Sequence, residues 1–464
     1  MRIKKKGVLY LFIVIFVTIL AFGIDDLGIL KILCCICFIA CTLVREKGEG
    51  ISLYTIFIFM MFFFAGIVVF ADVVGIYDIS VFSKYGKMFN YTDDLVNCSL
   101  RSIIIYLDAA MIVKVLWPNS KNDNSIKQLN CRSYIDGGLV RILRLVFYIL
   151  FIPSVFKSII EVVATSQYGY IATIHLRTIS VGYSILDQLD FLFELVGLLV
   201  LYCSKDKKEF LKIAIIYSIP QALTILTGQR GPGIILIVVL VWMYSKYFGK
   251  IDRRLLLGMV VSGVLLMTLI GITRWGGEKK VNGFWDAIQN FFLGQGECIN
   301  VLNLTIQFKD KFINKVPFLF GYFTDIFSTG NNYTIEAITN KNYLAFHVAY
   351  LAFPSAYFAG YTMGTSLIAE TYELASGNYF IILLLGMSFS CICRMFENHL
   401  FDSPLWFVIG FKYIMYYLYS PRYSVGKIIS IETLYTFIFM MIVMAFNNLI
   451  IKNKKPPKKI FWFD

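Results

Sequence analysis

Apolar runs of roughly twenty residues recur along this chain, separated by short polar intervals, and one long polar interval falls late, at roughly 275–375. A run of that length crosses a bilayer as a helix, because each backbone N–H and C=O is paired inside the segment. The pattern predicts about twelve spans, near 7–24, 27–44, 51–75, 95–117, 139–164, 184–203, 209–227, 233–248, 253–273, 376–396, 403–420 and 428–451. The expected fold class is an all-α polytopic membrane protein. Residues 1–274 form an N-terminal bundle of about nine spans, 275–375 an extracytoplasmic loop domain of short helices, and 376–464 a C-terminal bundle of about three spans with a basic cytoplasmic tail. Within the long interval, Phe284–Leu293 and Ile299–Phe308 alternate apolar and polar faces at helical spacing. They read as short helices that lie on or dip into the outer leaflet and cover a cleft. No internal repeat is visible, which weighs against transporters built from inverted repeats.

Composition agrees with that class. Hydrophobic residues are 58% of the chain and charged residues 16%, against about 45–50% and about 25% in ordinary soluble domains. The net charge of +13 is a topology signal rather than a nucleic-acid face, since Lys and Arg gather in short loops between spans. With the N-terminus placed in the cytoplasm, the inside loops hold 24 Lys and Arg, and the short outside loops hold Lys84, Lys87, Arg177, Arg230, Arg422 and Lys427. That excess puts both termini in the cytoplasm and the stretch 275–375 outside. The first apolar run lacks a small-residue cleavage site and is followed by further spans, so a cleavable signal peptide is not expected. The ten cysteines give no disulfide framework, and no metal-ligand spacing occurs, so neither a metal nor a cofactor is expected.

Several polar constellations remain to be explained. Thr227-Gly228-Gln229-Arg230-Gly231-Pro232 lies between spans seven and eight, at the outer face. Glycines on both sides of Arg230 allow a tight turn and close approach. The next helix begins near Pro232, so free N–H groups and the positive helix end lie beside the guanidinium. That pairing suits phosphate; equally, the turn is a glycine-rich bend whose Arg reaches lipid head groups. Arg177, Arg274 and Arg422 also stand at outer span ends, against the positive-inside bias. Together with Arg230 they could grip a pyrophosphate; singly, each reads as a snorkelling anchor.

Gly364 to Tyr372 precedes span ten and contains Glu370, which could serve as a general base on a hydroxyl or form a salt bridge that holds the loop. His347 is a second candidate base; a lone histidine is more often a satisfied polar residue. Span six carries Asp187, Asp190 and Glu194 on one face, and span four carries Arg101, Asp108 and Lys114. An ion-pair network between these two spans is the expected arrangement. Asp25-Asp26, in the first outside loop, reads as an acidic turn.

The layout, with Thr227-Gly228-Gln229-Arg230-Gly231-Pro232 and Gly364 through Tyr372 including Ile368-Ala369-Glu370, resembles the bacterial oligosaccharide repeat-unit polymerases of the Wzy family. The first segment is similar to that family's T-G-x-R-G turn, the second to its Ala-Glu-x-Tyr stretch before a late span. Unlike many members, this chain has short earlier outside loops, at 76–94 and 165–184. The resemblance implies transfer of a growing glycan from undecaprenyl pyrophosphate to a lipid-linked repeat unit. It implies Arg230, Arg274, Arg422 and Arg177 as pyrophosphate ligands, with Glu370 or His347 as the base. It also implies membrane lipid, chain-length regulator and flippase proteins as partners, and no nucleic acid. The competing expectations are an O-antigen ligase-like transferase and a lipid-linked oligosaccharide flippase or exporter.

Overall fold

The computed structural model describes residues 5–44, 52–117, 135–168, 181–227, 230–248, 284–313, 316–324 and 332–453, with isolated positions between 251 and 268. Helices occupy eleven of the twelve expected apolar stretches; the stretch 253–273 lies almost wholly outside the described residues. The helices are α1 (Lys5–Gly23), α2 (Leu27–Leu43), α3 (Leu53–Met61) continuing through a π-helical segment (Phe62–Gly66) into α4 (Ile67–Val73), α5 (Asp93–Leu116), α6 (Gly137–Tyr168), α7 (Val181–Tyr202), α8 (Lys207–Leu226) and α9 (Arg230–Tyr247). After the long polar interval come α14 (Tyr379–His399), α15 (Pro404–Tyr419) and α16 (Ile431–Asn453), and the interval itself holds α10 (Phe284–Gly296), α11 (Cys298–Phe308), α12 (Leu344–Ala352) and α13 (Leu367–Leu374) among shorter turns.

Local chemistry sets the helix starts. Asp26, Ser52, Thr92, Asp206 and Ser403 each accept a backbone N–H of the first turn through a side-chain oxygen, which satisfies a donor the helix leaves unpaired. Pro404 follows Ser403 at the first helical position, where its missing N–H costs nothing.

Among the described residues, five helices are long and apolar enough to cross a membrane: Leu53–Val73, Gly137–Tyr168, Lys207–Leu226, Tyr379–His399 and Ile431–Lys452. Their outer faces are themselves apolar. On α16, for example, Leu434, Phe437, Ile438, Met441 and Ile442 are exposed. In water such a surface would drive aggregation, whereas hydrocarbon solvates it. Of these five, the α3–α4 column is the most enclosed, with 61% of its apolar window buried, and it packs against α2, α5, α10 and α15.

Three expectations change. Residues 81–90, within a stretch read as a plain loop, form an antiparallel hairpin of β1 (Val81–Lys84) and β2 (Lys87–Asn90). Its turn residues Tyr85 and Gly86 both have positive φ, 50° and 73°, the conformation that matches strand twist in a two-residue hairpin. Second, α11 does not lie flat on a surface. Ile299, Val301, Leu302, Leu304 and Phe308 are all buried, against α5, α12 and α13. Third, among the described residues the charges of spans four and six take other partners. Asp187 and Asp190 of α7 both pair with Lys157 of α6 at 2.7 Å, and Glu194 accepts from Gln221 of α8 at 2.9 Å. Arg101 of α5 pairs with Asp25 at 2.7 Å, and Asp108 accepts from Thr18 of α1. The acidic turn is thus accounted for, with Asp25 bound to α5 and Asp26 capping α2.

Candidate functional site

The end of α15 brings together two of the residues that the sequence singled out, Arg422 and Glu370. Pro421 cannot continue the helix, so the chain leaves it as the short segment Ser420-Pro421-Arg422-Tyr423-Ser424. Both ends of this segment are tied to the beginning of α13. The Ser420 carbonyl accepts the Leu367 N–H at 2.8 Å, and the Ser424 hydroxyl donates to Glu370 Oε2 at 2.8 Å. Gly364 runs alongside, at a φ of +78° that favours glycine, and a β-carbon there would lie 3.9 Å from the Arg422 carbonyl oxygen.

Glu370 is 2% exposed, and its other oxygen accepts from the Thr365 hydroxyl at 2.8 Å. Among the described residues no Lys or Arg forms an ion pair with it, so the loop-holding salt bridge considered above is not seen there. Burial raises its pKa from 4.5 to about 8, and the two hydroxyl donors only partly oppose that shift. Burial thus favours the protonated form of this carboxyl near neutrality.

Arg422 reaches the other way. Its guanidinium lies 5.7 Å from the centroid of the Phe64 ring and donates from Nη1 to Gln295 Oε1 at the end of α10. Phe64 belongs to the π-helical segment, where one widened turn re-aims side chains inside an otherwise regular column. The column continues to Val73, about 13 Å further at 1.5 Å per residue, so the buried Phe64 lies well inside it, and Arg422 above its ring is half-buried. Burial raises the thiol pKa of Cys298, and the charges of Arg422 and of Lys84 on the hairpin both act against that rise. Lys84 therefore stands in the same neighbourhood, where it also pairs with Glu297 at 3.3 Å.

The glycine-rich turn meets the same place. Gly231, in the first turn of α9, lies so close to Tyr419 that a β-carbon would stand 1.9 Å from its hydroxyl oxygen and 2.1 Å from Cζ. Only glycine permits that approach. Tyr419 in turn meets Phe64 edge-on at 5.8 Å. The start of α9, with Arg230 as its first residue, thus packs on Tyr419, which precedes Arg422 by three positions in the chain. Of Arg230 only the backbone is described, and Arg177 and Arg274 lie outside the described residues.

His347 is placed differently. It is 1% exposed, wedged between the rings of Phe318 at 4.8 Å and Phe312 at 6.2 Å. Its Nε2 has no hydrogen-bond partner among the described residues, and burial lowers its pKa from 6.5 to about 4. Phe318 links it to the site at one remove, because the Phe318 N–H donates to Glu373 of α13 at 3.2 Å.

Phe64, Gln295, Thr365, Tyr419 and Ser424 were not singled out from sequence. Ser424 could have been, from the Ser-Pro-Arg-Tyr-Ser run that follows a span. Phe64 and Gln295 carry no local signal.

The described site is thus a half-buried guanidinium over the Phe64 ring, a tyrosine that packs on the start of α9, and a buried carboxyl held by the same five-residue segment. Residues 8–454, nearly the whole chain, match the family model described as O-antigen polysaccharide polymerase Wzy. No curated protein and no solved structure matches the chain.

Proposed function

From the premise that this chain belongs to the O-antigen polysaccharide polymerase Wzy family, we propose that it lengthens the glycan at the site built around Ser420–Ser424. A family member is a multi-pass membrane protein that acts on lipid-linked oligosaccharide repeat units. The donor is a growing glycan on undecaprenyl pyrophosphate. The acceptor is the terminal sugar hydroxyl of a second lipid-linked unit. The reaction takes place at the extracytoplasmic face of the inner membrane, with both termini in the cytoplasm and 275–375 as the outer loop domain.

In the step itself, the acceptor oxygen bonds to the anomeric carbon of the donor sugar, and the bond from that carbon to the pyrophosphate oxygen breaks. Negative charge grows on the departing pyrophosphate, so dispersed positive charge near it lowers the barrier. Arg422 is the described guanidinium at the site, and Arg230, Arg274 and Arg177 complete the proposed set. Glu370 takes the acceptor proton. A base works best when its pKa lies near the working pH; at about 8, Glu370 meets that condition better than His347 at about 4. His347 is then the aromatic-walled support of the Phe318 turn.

The observation that carries this reading is that one short segment holds both Arg422 and, through Ser424, Glu370. In a strain whose own copy is deleted, single lipid-linked units should accumulate and long polymer should vanish, and the wild-type chain should restore the ladder of lengths. An unchanged ladder after deletion ends the proposal.

A further inference from the structure

Tyr423 follows Arg422 directly and completes a run of nearly parallel rings. Its centroid lies 5.4 Å from that of Tyr419 and 6.5 Å from that of Tyr416, with an interplanar angle of 20° in both cases. Separations that long between planes that parallel mean offset rings, each covering only part of the next. All three are half-buried, whereas Tyr413 and Tyr417 on the same helix are 3% exposed. The Lys427 ammonium lies 5.8 Å from the Tyr416 centroid and 5.9 Å from that of Tyr423, and pairs with Glu432 at 3.4 Å.

Tyrosines at a span end often form an interfacial belt that faces lipid head groups. Here the ladder is turned inward. The Tyr419 hydroxyl abuts Gly231, the Tyr419 ring meets Phe64, and Tyr423 interacts with the half-buried Tyr322. The ladder therefore lies beside Arg422, and each of its three rings is left partly uncovered.

We propose that Tyr416, Tyr419 and Tyr423 are a sugar-stacking platform that binds the glycan residues nearest the pyrophosphate. This rests on the polymerase reading above. A donor sugar is joined directly to the diphosphate, so a guanidinium that holds the diphosphate and a ring one residue further along will meet adjacent parts of one ligand. One face of a pyranose is a patch of C–H groups with slight positive charge, which matches the negative face of an aromatic ring. Lys427 and Glu432 supply a donor and an acceptor for hydroxyls at the rim. The platform reads ring shape and C–H faces rather than charge, so it sets which repeat unit is accepted while Arg422 serves any lipid diphosphate.

The test uses the full-length protein in lipid nanodiscs with an undecaprenyl-pyrophosphate-linked repeat unit. Tyr423→Ala should raise the half-saturating concentration of that substrate about 3- to 10-fold and leave inhibition by inorganic pyrophosphate unchanged. Tyr423→Phe, which keeps the ring face, should recover most of the loss. Arg422→Lys should weaken pyrophosphate inhibition instead. Tyr423→Leu, which fills the space without a π face, is read in the same way where the alanine variant fails to accumulate. A half-saturating concentration within twofold of wild type in the Ala and Leu variants overturns the platform, as does an equal loss of pyrophosphate inhibition. Binding of the lipid-free repeat oligosaccharide, followed by saturation-transfer NMR, tests the platform without turnover. Signal lost in Tyr423→Ala supports it, and equal signal in both proteins refutes it. A wild-type protein that binds the oligosaccharide and makes no polymer counts against the polymerase reading alone.

Discussion

Glu370 gives the sharpest handle on the chemistry. With a pKa of about 8, it is ionised in only about one molecule in ten at pH 7, and that fraction climbs about tenfold per pH unit until it saturates. If the carboxylate is the base, the polymerisation rate at low substrate rises with pH between about 6 and 8 and then levels. Ser424 and Thr365 each donate a hydrogen bond that favours the charged form. A bond to a charged group is worth about 1.5–3 kcal/mol, or roughly one to two pH units. Ser424→Ala should therefore move the levelling point from about 8 to about 9–10 with the plateau rate nearly kept, a displacement that general loosening of the fold would not give. Glu370→Gln, nearly the same shape, should cost about 100- to 10,000-fold. Initial rates of lipid-diphosphate release from pH 5.5 to 10 measure all three proteins. A flat wild-type profile, or a Glu370→Gln enzyme within tenfold of wild type, would refute the assignment.

Other consequences follow from the same contacts. The raised Glu370 pKa also affects stability. Burying the neutral carboxyl costs little below its unfolded pKa of about 4.5, and the penalty grows as pH rises toward about 8, to an upper bound on the order of 5 kcal/mol. Wild type should lose melting temperature across that window and Glu370→Gln should lose less, as a detergent-solubilised thermal melt would show; equal slopes would contradict the burial. Gly231→Ala must displace the Tyr419 ring, at about 1–3 kcal/mol, and should abolish polymerisation at normal membrane abundance; an active variant would mean the two helices do not meet there. Gln295→Ala should lower activity about 10- to 100-fold by freeing the Arg422 guanidinium, and an unchanged rate would make Gln295 a bystander. Arg230→Lys keeps charge but loses the forked donor, so polymer length should collapse in cells; normal polymer would remove Arg230 from the proposed clamp.

The sequence was most informative where side chains act alone. Hydropathy located α1, α2, α6, α14 and α16 closely, because a bilayer fixes both the length and the polarity of a span. Gly231 and Glu370 were also legible, one through its neighbours in the turn and the other as a lone acid before an apolar run. Pairings between helices were not. The acids of α7 look the same in sequence whether their partner is Arg101 or Lys157, and rotation about the helix axis, set by packing of α6 on α7, makes the choice. The hairpin was readable in principle, since Tyr85-Gly86 between alternating residues is a turn signal, but inside a short loop it was outweighed by the span pattern. The hub at Ser420–Ser424 joins residues more than fifty positions apart through a backbone carbonyl and a hydroxyl, neither of which spacing reveals.

The central claim is that Arg422 and Glu370 flank one diphosphate-sugar site. The most direct measurement is a cryo-EM structure of the full-length protein with undecaprenyl pyrophosphate bound. The account predicts diphosphate density against the Arg422 guanidinium and the first turn of α9, with the Glu370 carboxyl facing the space where a sugar would attach. Diphosphate density elsewhere on the bundle, with Arg422 still on Phe64 and Gln295, would contradict it.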